Sequence, residues 1–546
     1  MWSGIKNPIC YLSAEFGIDS DLPTYSGGLG ILAGDIINSA ADINYPFIGI
    51  GILYKGKGFI QHITADGKME TRDSQFDHDA SFLRQTTING KPVIVDISLG
   101  ETNIAVKSYH IRLADNTVLF FLSTDLDTNP SEWVHDMDAL YQGDTASQIR
   151  QQILLGVGGY KLLNALAINP KIYHLNEGRP SFVIWEMVKH AVLTKHVGFE
   201  EAWQTAKSKI VYTNHTLVAA GNLVYPIEAV KSRAQEFVQG TDIDANLLIK
   251  DGVTNDGNFS ITKYAISVSK KQSAVSKVHA QKAVEDWPSV NWLAITNGVH
   301  APSWQDSDFR RKLTDSELWH LHQKKKTELL ETVIQRTGIG YDPTRLVVTW
   351  ARRLAEYKQP KIIFSDLARL KKIVTNPSRP IQLIFAGNSH TADMQAKPLI
   401  EDVIKIFSQE LVGHAIFVPN YNIALANHLT SGSDVWLNTP KGNLEACGTS
   451  GMKAALNGVI NATVLDGWTY EVDWQNKGFV LDSNNVAQNF YQTLEENIAP
   501  LFYERDADNL PTKWLAFMKN SMQLTVSYNA VRTLEDYKKM LYEDTA

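Results

Sequence analysis

One lysine stands out by its surroundings. Lys453 closes the run Glu445-Ala446-Cys447-Gly448-Thr449-Ser450-Gly451-Met452-Lys453-Ala454-Ala455-Leu456-Asn457-Gly458, among small and apolar residues just after a Gly/Thr/Ser/Gly turn. Desolvation disfavours the charged form of such an ammonium, and a lysine in that state is suited to forming an imine with an aldehyde. The turn before it offers what a helix start needs to hold a phosphate: small residues, free N–H groups and hydroxyls. Aldehyde plus phosphate describes pyridoxal phosphate. Taken alone, the same pattern also fits a helix start whose lysine snorkels to solvent.

A second constellation is Ala351-Arg352-Arg353-Leu354-Ala355-Glu356-Tyr357-Lys358, where three cations follow a strand end. Arg binds phosphate with a planar fork and Lys as a point charge, so the group could hold two phosphates close together; alone it also reads as a loop of solvated charges. A third is Tyr25-Ser26-Gly27-Gly28-Leu29-Gly30-Ile31-Leu32-Ala33-Gly34-Asp35, a glycine-rich turn opening a helix, where backbone N–H groups can approach an anion. No Gly-Lys-Ser/Thr follows, so it is not a P-loop, and it lacks the spacing and leading strand of a dinucleotide fingerprint. His174-Leu175-Asn176-Glu177-Gly178-Arg179-Pro180 and Tyr212-Thr213-Asn214-His215-Thr216 each put polar groups after a strand. No His/Cys/Asp cluster has metal-ligand spacing, and no Gly-x-Ser-x-Gly elbow is present.

These motifs need elements to position them. Residues 46–52, 171–175, 209–212 and 292–296 read as strands, and 147–166 and 181–194 as helices. Residues 240–258 are Gly/Asp/Asn-rich and read as a surface loop, and 316–336 as a charged helix whose Lys324-Lys325-Lys326 run is expected to face water. A fresh series starts after Gly338, with strands at 346–350, 381–386, 415–418, 434–437 and 459–464 and helices at 360–375 and 423–429; residues 520–542 read as one amphipathic helix. The alternation favours an α/β fold with parallel sheets in two domains enclosing a cleft, with ligands at the carboxyl ends of the strands.

The totals agree with that frame. At 546 residues, two or more domains are expected. A net charge of −7 argues against a general nucleic-acid binder. Cys10 and Cys447 cannot form a disulfide framework, so a reducing, cytoplasmic setting is expected. No signal peptide is apparent, and no run of about 18 apolar residues predicts a membrane span.

Taken in order, these elements resemble the α-glucan phosphorylases, and more closely their short bacterial and archaeal form. The similarity runs from Tyr11-Leu12-Ser13-Ala14-Glu15-Phe16-Gly17 to the closing helix. It includes Tyr141-Gln142-Gly143-Asp144, Ile149-Arg150-Gln151, Ile295-Thr296-Asn297-Gly298-Val299-His300, His390 with Asp393 and Lys397, and Leu465-Asp466-Gly467-Trp468. The resemblance implies a GT-B fold: a Rossmann-like domain over 1–338, a second over 339–519, and a closing helix over 520–546 that crosses back to the first. It implies cleavage of a terminal α-1,4-glucosyl unit of a glucan or maltooligosaccharide by inorganic phosphate, giving glucose 1-phosphate with retained configuration. Pyridoxal 5'-phosphate would be held by Lys453, its phosphate exchanging proton character with the substrate phosphate. Large relatives are commonly dimers, so a homodimer is a further expectation. No phosphorylation switch or nucleotide effector site of the large relatives is expected.

By the same resemblance, Arg353 and Lys358 hold the substrate phosphate and Arg352 lies beside the cofactor phosphate. Tyr357 contacts the glucose, Glu445, Cys447 and Gly448 hold sugar hydroxyls, and Thr449, Ser450 and Gly451 meet phosphate. Gly27, Gly28 and Leu29 cap the substrate phosphate, and Glu177 lies near the sugar. No metal is implied. Three departures stand out. Cys447 replaces a usual Ser. Arg179 replaces a usual His, which adds a cation near the cleft. Ser273-Ala274 replaces a usual Asn-Gly, with an expected cost if the glycine were left-handed; Lys270 lies near the position of a sugar-binding His in longer relatives. Two rival readings share the architecture: a GT-B transferase using a sugar nucleotide, and an impaired phosphorylase-like glucan-binding protein.

Overall fold

The computed structural model describes residues 2–77, 82–141, 143–216, 222–388 and 396–543; Gln142, His390 and Asp393, named above, lie outside the described residues. The chain separates into two compact units. One comprises Met1–Phe59, Asp73–Ile295 and Thr533–Ala546, and the other Ile60–Arg72 and Thr296–Arg532. Both are mixed α/β. Thr296–Arg532 belongs to the unit that holds the second sheet.

In the first unit the strands lie in the order Trp292–Ala294, Lys271–Ala274, Ile210–Asn214, Ile172–Asn176, Ile9–Ser13, Phe47–Ile52, Thr117–Ser123, Thr102–Ala114 and Arg84–Gln85, with Ile94–Leu99 also on Thr102–Ala114. The first seven are parallel. Ile9–Ser13, Phe47–Ile52, Ile172–Asn176 and Ile210–Asn214 are buried throughout, as strands covered on both faces are. Thr102–Ala114 adds an antiparallel edge, which the parallel expectation did not include. In the second unit the order is Ala415–Val418, Ile381–Ala386, Leu346–Ala351, Val435–Asn438, Ile460–Val464 and Gly478–Leu481, all parallel.

Each sheet reverses its winding once. In the first the reversal is between Ile9–Ser13 and Ile172–Asn176, and in the second between Leu346–Ala351 and Val435–Asn438. Such switch points open a crevice at the carboxyl ends of the strands. Glu15 and Glu177 follow the first pair of strands; Arg352 and the 444–453 segment follow the second.

Four sequence expectations need correction. The lysine run does not all face water. Thr314 and Glu317 form a capping box that starts the helix Asp315–Thr337, and Gly338, left-handed at φ 73°, ends it. Successive residues of a helix turn by about 100°, so a run of three cannot share one face. Lys324 is exposed, whereas Lys326 is 0% exposed and its Nζ donates to Asp434 Oδ2 at 2.6 Å. The 240–258 segment contains the helix Ala245–Ile249, capped by Asp244. The closing helix is interrupted: Thr512–Gln523 ends and Ala530–Asp536 begins anew. Between them Tyr528 and Ala530 exchange backbone hydrogen bonds with Val299. A Cβ at Gly298 would stand 2.2 Å from the Asn529 carbonyl oxygen, so this pairing needs glycine. Finally, Ser273 and Ala274 lie in the strand Lys271–Ala274, with no left-handed backbone, so the feared cost of losing glycine does not arise. The Ser273 hydroxyl instead bonds Thr213 Oγ1 at 2.8 Å.

Candidate functional site

In the second unit, the carboxyl end of Leu346–Ala351 delivers Arg352 and the neighbouring strand Val435–Asn438 delivers Asn438. Arg352 is 7% exposed. Its Nη2 donates to Asn438 Oδ1, and to Ser450 Oγ at 3.5 Å; its Nη1 donates to Glu445 Oε2 at 3.4 Å. Its Nε is buried with no hydrogen-bond partner among the described residues. Asn438 Nδ2 donates to Asn461 Oδ1 at 3.2 Å, and Asn461 Nδ2 to the Gly451 carbonyl at 3.0 Å. A Cβ on Gly451 would stand 2.4 Å from Asn461 Oδ1, so a glycine is required there. Two asparagines on neighbouring strands thus tie Arg352 to the start of the helix Ser450–Leu456.

Lys358 is buried, and its Nζ donates to Glu445 Oε2. Burial pushes the Glu445 carboxyl up, but the charges of Lys358 and Arg352, with Arg353, outweigh it and hold the group below the usual carboxylate range. Tyr357 stacks its ring under Lys358 Nζ, 4.7 Å from the centroid, and Arg353 is exposed. Gly448 is left-handed at φ 83°. Cys447 is buried, which pushes its thiol up, and its carbonyl accepts from Trp468 N–H at 3.1 Å.

Lys453 is 7% exposed, and its Nζ lies 3.7 Å from the centroid of the Trp304 ring. Asn457 Nδ2 donates both to the Lys453 carbonyl at 3.2 Å and to the Trp304 carbonyl at 2.9 Å, which locks lysine and indole together. Ser450 Oγ also accepts from Trp436 Nε1 at 3.2 Å, and Thr449 precedes it as the helix cap. An amine against an aromatic face, an unpartnered buried guanidinium N–H and a serine hydroxyl beside it form a donor set that fits a planar aldehyde carrying a phosphate.

In the first unit, Ser26 N–H and Gly27 N–H donate to Glu15 Oε2 at 2.8 and 3.1 Å. Gly28 and Leu29 open the helix Gly28–Asp42, whose first N–H groups have no partner within the helix. Glu177 Oε1 accepts from His215 N–H at 2.6 Å, and its backbone is left-handed at φ 70°. Burial pushes its carboxyl up to about 7 against the His215 and Gly178 N–H groups and the Arg179 charge.

The structure therefore gathers Arg352, Lys358, Glu445 and Ser450 in one hydrogen-bonded group, with Tyr357 stacked on Lys358; Glu177 and Gly27 belong to clusters of the first unit. Sequence reasoning missed Trp304, Asn438 and Asn461 altogether, and quoted Glu15, Tyr141 and Asp466 without giving them a role. A polar residue closing a buried strand, as Asn438 does, was the available signal. Among the described residues no group of three or more His, Cys, Asp or Glu could hold a metal ion, and no helix is long and apolar enough to cross a membrane.

The carbohydrate phosphorylase family matches residues 300–479. The chain is 33% identical to the maltodextrin phosphorylase of Thermococcus litoralis over 98% of its own length and 70% of that protein. It is 32% identical to the glycogen phosphorylase of Aquifex aeolicus over 98% of the chain and 86% of that protein. It is also 32% identical to the glycogen phosphorylase of Mycobacterium tuberculosis, over 98% and 71%. With about a third of the aligned residues identical and the alignments covering nearly the whole chain, the chain belongs to the carbohydrate phosphorylase family.

Proposed function

We propose that the protein is an α-1,4-glucan phosphorylase of GT-B architecture that carries pyridoxal 5'-phosphate and releases glucose 1-phosphate from glucan or maltodextrin ends with inorganic phosphate. The observation that carries this reading is the pairing of Lys453 with Trp304 on the helix whose first residue, Ser450, bonds Arg352, a buried guanidinium whose Nε has no partner among the described residues. The similarity to maltodextrin and glycogen phosphorylases supports the substrate class.

Lys453 would be the attachment amine, and Arg352, Thr449, Ser450 and the Gly451 backbone would hold the cofactor phosphate. When bound, the cofactor supplies a phosphate that shares proton character with inorganic phosphate. Arg353 and Lys358 neutralise inorganic phosphate, which lets two phosphates approach. Glu445, kept ionised by Lys358 and Arg352, accepts from sugar hydroxyls, while Cys447 and Gly448 offer backbone groups and Tyr357 an apolar face to the ring. Inorganic phosphate gives its proton to the departing glycosidic oxygen, which leaves as a hydroxyl on the shortened glucan, steadies the positive charge that develops on the sugar, and then bonds the anomeric carbon through one of its oxygens from the same face, giving glucose 1-phosphate with retained configuration. In the first unit the glycine turn offers the Gly28 and Leu29 N–H groups to an anion, whereas the Gly27 N–H is engaged by Glu15. Glu177 faces the sugar.

The test is glucose 1-phosphate release from maltodextrin and phosphate by cofactor-loaded protein, with the absorbance of bound pyridoxal phosphate followed in parallel. Lys453→Ala should lose both. A chain that takes up no cofactor, or a loaded chain that forms no product, overturns the reading.

A further inference from the structure

Glu15 is 4% exposed and receives three donors. Oε2 accepts from Ser26 and Gly27 N–H, and Oε1 accepts from the Tyr141 hydroxyl at 2.5 Å. The glycine turn rests directly on this carboxylate: a Cβ on Gly30 would stand 2.9 Å from Oε2. On the other side of Tyr141, the Arg179 guanidinium lies 4.3 Å from the ring centroid. A cation on the ring face is attracted by its quadrupole and fixes the ring plane. Burial, together with the Glu15 charge, pushes the phenol well above its usual range, so it remains a donor; Arg179 opposes that rise, which makes it a stronger one.

The backbone is strained at both ends of this chain of contacts. Tyr141 is left-handed at φ 58° and Glu177, two residues before Arg179, at φ 70°. Non-glycine residues hold such conformations only where their surroundings enforce them. The four segments that contribute, at 15, 26–27, 141 and 177–179, reach the carboxyl edge of the sheet at its switch point or pack beside it.

We propose that Tyr141 and Arg179 are positioning residues that lock Glu15, and through it the glycine turn, so that the Gly28 and Leu29 amides are aimed at inorganic phosphate. This rests on the phosphorylase reading. A loosened turn weakens phosphate binding without touching the glucan.

The experiment uses full-length, cofactor-loaded Tyr141→Phe, which keeps the ring for Arg179, together with Arg179→Gln and Arg179→Lys. Loss of one charge-assisted hydrogen bond should raise the KM for phosphate about tenfold in Tyr141→Phe. Arg179→Gln should move the phosphate KM in the same direction and Arg179→Lys return part of the way, while in Tyr141→Phe kcat and the maltodextrin KM should stay within about twofold of wild type by the same reasoning. Amide hydrogen exchange across 26–31 should quicken in Tyr141→Phe. Unchanged exchange there, or equal rises in both KM values, overturns the proposal. If the wild-type protein performs no phosphorolysis, the functional reading falls, and the exchange measurement still decides whether Tyr141 holds the turn.

Discussion

Asp466 Oδ2 accepts the backbone N–H of Glu445 at 2.9 Å. The same oxygen accepts from Leu444 N–H at 3.1 Å, and Oδ1 from Gly467 N–H at 2.8 Å. Gly467 is left-handed, and a Cβ on it would stand 2.4 Å from the Cys447 carbonyl oxygen. Residues 466–468 thus form a cradle for the segment that carries Glu445 and Cys447.

Burial pushes the Asp466 carboxyl up to about 6, with the Glu445 charge adding to the rise. The folded chain therefore holds this proton more tightly than the unfolded chain. Its stabilising contribution is complete below about pH 4 and is lost as pH rises through about 6. Activity should run the other way, because a protonated carboxyl accepts these N–H groups less well and lets Glu445 drift. In Asp466→Asn the amide would set an NH2 against backbone donors. We expect kcat to fall about tenfold or more, in line with an unsatisfied buried donor, and the acid limb near pH 6 to vanish. Parallel pH–rate and thermal unfolding profiles check both signs; an acid limb that survives in Asp466→Asn would remove Asp466 as its source.

Much of this organisation was legible in the sequence. Ile381–Ala386 and Ala415–Val418 match the expected strands residue for residue, because buried parallel strands are short apolar runs between polar breaks. The chemistry-bearing motifs were legible for a related reason: Arg352 and Glu177 follow such runs at once. The companions were not. Trp304 lies 149 positions from Lys453, and nothing local marks an indole as the floor for a distant amine (453 − 304 = 149). Lys326 looked like one of three surface lysines because its partner, Asp434, is brought in only by the second sheet.

That buried pair carries its own prediction. Asp434 accepts from Lys326 Nζ, from His322 Nε2 at 2.8 Å and from Val347 N–H at 2.7 Å. Burial pushes its carboxyl up, but Lys326 and His322 more than offset this and leave it low. Removing one partner strands a charge in the interior, which costs about 3–5 kcal/mol, whereas replacing both with apolar groups is close to neutral. Lys326→Met should therefore lower the denaturant midpoint of the second unit sharply. Lys326→Met with Asp434→Leu should recover much of the loss. A double variant no better than the single one would mean that the donors from His322 and Val347, not the Lys326 charge, are what Asp434 satisfies.

Glu177 should make the protein sensitive to pH near neutrality. Its carboxyl is raised to about 7, so its stabilising contribution is complete below its ordinary value near 4.5 and lost as pH rises through 7. Glu177→Gln mimics the neutral form and leaves the left-handed backbone cost unchanged. The variant should match wild type most closely near pH 4.5, melt higher than wild type at pH 6, and exceed it further at pH 8. Its log kcat/KM for maltodextrin should also change less between pH 6 and 8. Melting curves that stay parallel from pH 6 to 8 would show that Glu177 does not titrate there.

Arg352 depends on a glycine in the adjacent strand's exit. A Cβ on Gly387 would stand 2.1 Å from the Arg352 carbonyl oxygen and 2.7 Å from Leu354 Cδ1. Neither can yield cheaply, since the first is backbone and the second belongs to a buried leucine. Gly387→Ala should therefore push Arg352 away from Asn438 and Ser450. A displacement of about 1 Å in a positioning group can cost roughly a hundredfold in rate, so kcat should fall by that order, and cofactor occupancy, read from absorbance per chain, should fall with it. Gly198→Ala is the matched control: nothing lies within 4 Å of its would-be Cβ, and its φ of −67° suits alanine. If Gly387→Ala keeps full occupancy and rate while folding as well as Gly198→Ala, Arg352 is not held by this contact, and its place beside Ser450 must be enforced by Asn438 and Glu445.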